Sequence, residues 1–577
     1  MNLRRWISLL LIMLVFAAGT GISYLAMRPP EPPSGESQVY PSYARMLANV
    51  AAMTKAPHPS GSGELADVRA YLISQIEAMG LQVEVHRCVC SLDEIAADRV
   101  ERERGSGRPD MIRTPSGLIL TQEDLVRGDL REQAVFDEND NVTLYNLLVK
   151  LDSPASDRGI LFMAHYDSEF GVPGAADDMV SVGALLEVMR LQAKNPDLRN
   201  DLYFLFTDGE ELGGIGAKAF VRDNPELADR IDLVVNMDAR GTSGGLLMFE
   251  TSLFDYDQVK HWRNASSRPI AYSWLPMIYR QMSNGTDLTR FLDAGYQALN
   301  FAVIEGAEHY STGTDDIHHL NPGTAYHYLL NAMELGEYAA NASLKDKGDE
   351  QDGVYFTLLP GLLVLMNGFS AQALAGAAIA AALACLVWRL RSGKSKFLTM
   401  LYIAGVQLSV VAVSALAGMG VVSLIDAAWP PRLQDGLQYH VPVLICTLGG
   451  IGAAALVLFS LLVRRQTFGD TLAGALPLLM LATAVTAIYF NKASYLVSFP
   501  LLGLVIAAFL EKHYIARIIT AVVVGVGTIL LHFPACWILF IALGLEVMPV
   551  ITGLATIPIT LVAVLFKPHF SPARPGS

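Results

Sequence analysis

Apolar residues are spread unevenly along the 577-residue chain. The opening stretch, MNLRRWISLLLIMLVFAAGTGISYLAMRPP, sets two arginines before roughly 22 mostly apolar residues, enough to cross a bilayer. From about residue 28 to 352 apolar positions come in short runs among charged and turn residues. Long apolar stretches return after Gly353, at roughly 370–388, 397–424, 441–463, 471–490, 494–510, 518–540 and 547–566. This pattern predicts an amino-terminal transmembrane anchor (1–28), a folded domain (29–352) and a carboxy-terminal membrane region of about seven helices (353–577). A signal peptide is the competing reading of the first segment, but its small-x-small cleavage site is not evident.

Within the folded domain a first helix is predicted at 42–53 and a second from Glu64 to Met79, with Leu65, Val68, Leu72, Ile76 and Met79 at helical spacing and Gly80 as its stop. LQVEVHR then alternates as a strand. Residues 91–141 are charged and irregular and are expected to form a surface insertion. YNLLVKL (145–151), GILFMA (159–164), LYFLFT (202–207), LVVNM (233–237) and ALNFAVI (298–304) are strand-length apolar runs, with helical patterns between several of them. Apolar strands alternating with helices predict an α/β sandwich whose sheet is covered on both faces.

Charge adds an orientation. Under the positive-inside rule Arg4 and Arg5 hold the amino terminus in the cytoplasm and place the folded domain outside it. The loops that would then face inward, 389–396, 464–470 and 511–517, are all basic-rich, as is the tail with Lys567 and Arg574. The formal charge of −14 comes mostly from the folded domain and argues against a nucleic-acid partner. Cys88 and Cys90 form a C-x-C on a predicted strand, where a bridge would be strained, so thiols are expected. Sequons at Asn141, Asn264, Asn284 and Asn341 would permit glycosylation in a eukaryotic lumen, whereas the scarcity of cysteine leans towards a bacterial envelope.

The polar residues that carry chemistry follow the strands. HYD (165–167) follows the first of four, TDGEE the second, MDARG the third, and AEHYSTGTDDIHHLNPG the fourth. Ligands in open α/β sheets bind beyond the carboxyl ends of strands. His165 and Asp167 share a strand face, so one can ligate while the other orients it, although a lone H-x-D is more often structural. Asp177 and Asp178 in GAADD could equally cap the following helix. Adjacent Glu210 and Glu211 repel unless a cation or proton lies between them, and Asp238 adds another carboxylate. Burying Asp167, Asp177, Glu210, Glu211 and Asp238 without a metal would be very costly. Two divalent cations would resolve it, and histidine with carboxylates suits zinc.

HYDS, GAADD, TDGEELG and NMDARG together resemble the co-catalytic di-zinc aminopeptidase family, most nearly its membrane-embedded branch of endoplasmic reticulum metallopeptidase and vacuolar membrane protease. PHPSGSGELADVRAYLISQIEAMGLQVEV (57–85) and SNGTDLTRF (283–291) add to the likeness, which covers about residues 40–340. The resemblance implies a three-layer α/β/α sandwich with a mixed, largely parallel sheet, beside an all-α multi-span region. It also implies two zinc ions and hydrolysis of amino-terminal peptide bonds. His165 and Asp238 would bind one ion, Asp177 would bridge, and Glu211 with a later histidine would bind the other. Glu210 would be the general base, Asp167 would orient His165, and Thr286 and Asp287 would face substrate. The family pattern Y-H-T-P-x-D fails at the last ligand. Counting back from Leu320 and Asn321 puts Ser311 in the histidine position, whereas choosing His309 demands a longer loop before Asp315. Serine is a poor zinc ligand, so His309 is expected, with His318, His319 or a missing ligand as alternatives.

Peptide substrates and the lipid bilayer are the implied partners, and the oligomeric state is left open. Competing readings are a single-zinc, glutaminyl-cyclase-like enzyme and a receptor- or chaperone-like relative with a dead site. A transporter would mark its path with intramembrane ionisable residues, and only Glu546 stands within a long apolar run.

Overall fold

The computed structural model describes residues 3–103, 111–113, 119–156, 158–282, 285–342, 350–428 and 440–567. The Asn284 sequon, the first two residues of the 283–291 motif, Arg574 and part of the 91–141 insertion lie outside these. The chain divides into two compact units, one of Met1–Met27 with Val354–Ser577 and one of Arg28–Gly353.

In the second unit seven strands form one sheet: β1 (Glu84–Ser91), β2 (Asn141–Leu151), β3 (Gly159–His165), β4 (Asp201–Thr207), β5 (Ile231–Ala239), β6 (Leu247–Thr251) and β7 (Ala298–Val303). Their order is β1-β2-β4-β3-β5-β7-β6. The central pairs β4/β3, β3/β5 and β5/β7 are parallel, and β1/β2, β2/β4 and β7/β6 are antiparallel. Every residue of β3 and β4 is buried, as a strand covered on both faces requires.

Eight helices matter here: α1 (Tyr40–Met53), α2 (Gly63–Ala78), α3 (Leu92–Arg102), α4 (Gln122–Arg131), α5 (Val180–Gln192), α6 (Ile215–Asp223), α7 (Asp287–Asp293) and α8 (Pro322–Asn341). Strand alternation sorts the core. Leu161, Met163, Tyr203 and Leu205 meet Ala217 and Phe220 of α6 and Leu288 and Phe291 of α7. The alternate residues, among them Phe162 and Phe204 with rings 5.5 Å apart, face the other way, where α5 packs with α1 and α8. The sandwich therefore has three layers.

Two local expectations change. The first strand begins at Glu84 and runs on to Ser91, because its antiparallel register with β2 continues to Ser91 opposite Asn141. The insertion, expected as irregular, holds α3 and α4. Ser91 caps the first, and Thr121 with Asp124 forms a capping box on the second. Leu92, Ile95 and Ala96 and then Val126 and Leu130 recur at helical spacing beneath the charges. They pack on Cys88, Cys90, Val142 and Leu144, covering the β1 side of the sheet. Cys88 and Cys90 are free thiols.

Among the described residues of the other unit six apolar segments are long enough to cross a membrane: Ile7–Ala26, Gly368–Arg391, Phe397–Ala428, Val441–Leu462, Phe468–Tyr489 and Ile515–Phe566. The last is 52 residues long and is interrupted by a tight turn at Gly544–Val547 that carries Glu546. Tyr495–Phe509, expected as a span, is a helix of 15 residues. At 1.5 Å per residue it falls short of a hydrocarbon core of about 30 Å. Arg389 is buried and donates to Glu511 at 2.7 Å, with Gly469 packed against both, and Lys567 donates to the Val463 carbonyl. The three basic loops therefore gather at one end of this unit.

Leu161 is fully buried at the centre of the α6/α7 face. Leu161→Ala is expected to destabilise the sandwich by about 2–5 kcal/mol, visible as a thermal midpoint several degrees lower. An unchanged midpoint would contradict this placement of the core.

Candidate active site

Because β3, β4, β5 and β7 run parallel, their carboxyl ends reach the same edge. β3 delivers His165, and Asp167 lies two residues beyond. The His165 Nδ1 lies 3.0 Å from the Asp167 carbonyl oxygen and 3.5 Å from its carboxylate, while Nε2 lies 3.0 Å from Asp177 Oδ1. Asp167 also grips the end of β4. Its two carboxylate oxygens accept the backbone N–H groups of Glu210 and Glu211, each at 3.2 Å.

Asp177 and Asp178 do not serve as an ordinary helix cap. They sit in a widened turn, Ala175–Met179, with non-helical backbone angles, ahead of α5. Asp178 accepts the His165 backbone N–H at 3.3 Å and the Ser181 hydroxyl. Asp315, from the loop after β7, accepts the N–H groups of Ala176 and Asp177 at 2.8 and 3.1 Å and so fixes that turn. The tip of β5 supplies Asp238.

His165, Asp177 and Asp238 offer ligand atoms within 4.8 Å of one another, and so do His165, Glu210 and Glu211. Five of the residues expected to bind metal or catalyse are thus brought into two groups sharing His165, with Asp167 bonded behind them. Among the described residues neither group includes a member of the 305–320 loop. His309 is half-buried, with Nδ1 2.9 Å from the Thr314 hydroxyl and its ring 4.5 Å from that of His319. Ser311 donates to Glu169 at 3.0 Å, and His318 is exposed. Thr286 is engaged within the fold, capping α7 through Leu288 N–H and accepting from Asn300. Asp287 is buried, with the Thr207 hydroxyl on one carboxylate oxygen and the other, Oδ1, without a hydrogen-bond partner.

Electrostatics bears the mark of crowding. Burial, then neighbouring carboxylates, holds Glu210 and Glu211 well above the usual carboxylate range. The same causes push Asp238 to about 7, and burial first pushes Asp287 to about 7 and Asp208 to about 8. Burial opposes charge on His165, but Asp167 and Asp177 outweigh it and hold the imidazolium well above its ordinary range. Burial likewise opposes charge on Asp167, and His165 with the two glutamate N–H groups outweighs it, keeping this carboxyl low. Asp167 is the anion the fold has already satisfied. The others, once ionised, present acceptor-only oxygens with little to balance them, a donor set that fits divalent cations.

Supporting residues escaped sequence reasoning. Ser60 donates to both Asp167 (3.2 Å) and Asp208 (2.8 Å). Asp208 also accepts the Tyr145 N–H at 2.9 Å. His58 is fully buried, its backbone N–H on the Ser168 hydroxyl and its Nε2 unpartnered. The only signal was that PHPS lies within the stretch carrying the family likeness.

The fold and site define a mixed α/β domain whose parallel strand ends carry a histidine-and-carboxylate cluster able to hold metal. Residues 146–335 match the family model described as Peptidase family M28. A vacuolar membrane protease of Candida dubliniensis is 29% identical over 239 residues, covering 40% of this chain and 25% of that protein. The putative endoplasmic reticulum metallopeptidase 1 of Schizosaccharomyces pombe is 27% identical over 243 residues, covering 40% and 29%. This chain thus spans only about a quarter of the length of these curated relatives. An aminopeptidase from Aneurinibacillus sp. strain AM-1 superposes with a TM-score of 0.39 at 15% identity, over 53% of this chain and 96% of that one.

The raised carboxyls set a pH dependence. In the unfolded chain they titrate near 4, so between about pH 4 and 8 the folded, metal-free domain holds more protons than the unfolded one. Its stability therefore falls as pH rises. The thermal midpoint of chelator-treated protein is expected to drop from pH 5 to pH 8, and a divalent cation to restore more at pH 8. A midpoint in chelator that holds level or rises over that range argues against the crowded-carboxylate description.

Proposed function

We propose that this protein is a membrane-anchored zinc-dependent aminopeptidase that hydrolyses amino-terminal peptide bonds on the extracytoplasmic side. The observation that carries the reading is the half-buried Glu210–Glu211 pair, fixed through its backbone to Asp167 and grouped with His165. The relatives named as membrane proteases and metallopeptidase support it. The gathering of the basic loops at one end supports a common cytoplasmic side for them.

In this reading His165 and Asp238 would hold one zinc ion and Glu211 and His309 the other, with Asp177 as a ligand they would share. The chemistry such ions would supply is a lowered pKa for bound water and polarisation of the scissile carbonyl. Glu210 takes a proton from the attacking water and returns it to the leaving amine. Burial and then Asp238 shift its carboxyl upward, which favours its accepting that proton. Asp167 holds the His165 ring and the backbone of both glutamates, so one side chain sets the spacing of ligand and base. The unpartnered oxygen of Asp287 is assigned to substrate. A single-ion site is the second reading, favoured by the position of His309 outside both acidic groups.

Glu210→Gln is expected to retain metal and fold while losing roughly 10²–10⁴-fold in hydrolysis of aminoacyl reporters. Full activity in this variant would sink the mechanism. Metal analysis of wild type and His309→Ala separates the two readings, with two ions falling to one supporting the pair and one ion in both supporting the single site. Asp167→Asn is expected to weaken metal affinity about 10–100-fold, measured by competition with a chromophoric chelator. An affinity unchanged within error would remove Asp167 from its orienting role.

A further inference from the structure

The insertion has a feature that the metal site leaves unexplained. Arg102, at the end of α3, lies against Gly213, three residues beyond Glu210. A Cβ on Gly213 would fall 1.9 Å from Arg102 Nη2, and Gly213 has φ +92°, so both conformation and close approach call for glycine. The turn is short: the N–H of Gly213 donates to the Glu210 carbonyl at 2.6 Å. A Cβ on Gly285, just before Thr286 and Asp287, would lie 3.7 Å from Arg102 Nη1. The guanidinium thus stands between the two turns that carry Glu210 and Asp287.

Its charge is poorly balanced. Asp98 accepts from Arg102 Nε at 3.2 Å, from Lys218 at 2.6 Å and from Arg290 at 2.5 Å, so three cations converge on one carboxylate. Arg290 also donates to the Gly213 carbonyl at 2.6 Å, fixing the same turn. Among the described residues Asp98 is the only hydrogen-bond acceptor of Arg102, and its side chain is 24% exposed. Burial, then Arg290, disfavours the charge, and Glu210 is close enough to favour it. An anion arriving from solvent would relieve this cluster.

We propose that Arg102 is a specificity residue that binds, through its Nη atoms, the carboxylate of the leaving part of a short peptide. The inference rests on the peptidase reading for its substrate class. A free α-amine is cationic and is attracted to the carboxylates Asp177, Glu211 and Asp238 and repelled by Arg102. A carboxylate beyond the scissile bond has the opposite preference. In a dipeptide the C-terminal carboxylate is one residue past that bond, so free dipeptides gain most and long or amidated chains gain nothing from this contact. An acidic side chain at the same position shares the chemistry.

The test begins with binding, which does not need turnover. Isothermal titration compares a reduced-amide analogue of Leu-Gly, free carboxylate against carboxamide, on the full-length metal-loaded protein. The free acid is expected to bind roughly 10–100-fold more tightly in wild type, as a charge-assisted bidentate contact implies. Arg102→Met should erase that preference at an unchanged thermal midpoint, and Arg102→Lys should keep part of it. An equal loss for acid and amide, or a preference surviving in Arg102→Met, overturns the proposal. A reduced-amide Leu-Asp-amide tells a side-chain carboxylate from the C-terminal one: binding like the carboxamide supports the main-chain assignment, and binding like the free acid overturns it. Turnover of Leu-Gly and Leu-glycinamide is then measured. Arg102-dependent carboxylate binding without hydrolysis of either would uphold this site and overturn the peptidase reading.

Discussion

One carboxylate organises the site. Asp167 reaches across from the end of β3 to the backbone of the turn after β4, taking the N–H groups of Glu210 and Glu211, and from its other side it holds His165. Ser60 ties it to Asp208, which in turn holds β2 through Tyr145. Charge buried this deeply is tolerated only when hydrogen bonds and an opposite charge satisfy it, and Asp167 has both. Because its lone pairs are already engaged, it stays low while its neighbours are pushed up. The contrast between one satisfied anion and several unsatisfied ones is what gives the edge its appetite for cations.

The parallel centre of the sheet makes this possible. Parallel strands end together, so residues far apart in sequence meet at one edge without long loops. Glycine tightens the fit at one further place. A Cβ on Gly216 would fall 1.8 Å from the Asp208 carbonyl, so α6 can begin directly against the end of β4. The short distance from Asp208 to α6 leaves the Glu210–Gly214 turn no slack, and the glutamates cannot relax away from one another.

Much of this was legible in the chain. The apolar runs of β3, β4 and β5 are continuous and give way at once to polar residues, so His165, Glu210, Glu211 and Asp238 could be placed at strand ends from pattern alone. Asp177 was harder, since an Asp before a helix reads as a cap, and only the widened turn held by Asp315 turns it inward. The loop after β7 was least legible. Its register is set by Asp315 reaching back to Ala176 and Asp177, a contact with no local sequence signal, and neither His309 nor Ser311 joins the acidic groups. α3 and α4 were hidden because their few apolar positions are diluted by charge, and tertiary contact with β1 and β2 decides such cases. Ser60 and Asp208 went unnoticed because a serine and an aspartate in loops carry no pattern until their partners are known.

The insertion links stability to chemistry. An exposed edge strand invites pairing with other chains, and β1 has Val85 and Val89 on its open face. Burying Cys88 and Cys90 under α3 and α4 covers the opposite face with a small core of its own. The same helix α3 then ends at Arg102, anchored by Asp98 to α6 and α7 through Lys218 and Arg290. A segment that only shielded an edge would need no such anchor on the far side of the Glu210 turn. Three cations sharing one carboxylate is a poor bargain for stability alone, since like charges repel and each cation is partly desolvated. That cost is reasonable where an anion is to be received, which makes the insertion part of the active-site wall and not merely a cover for the sheet.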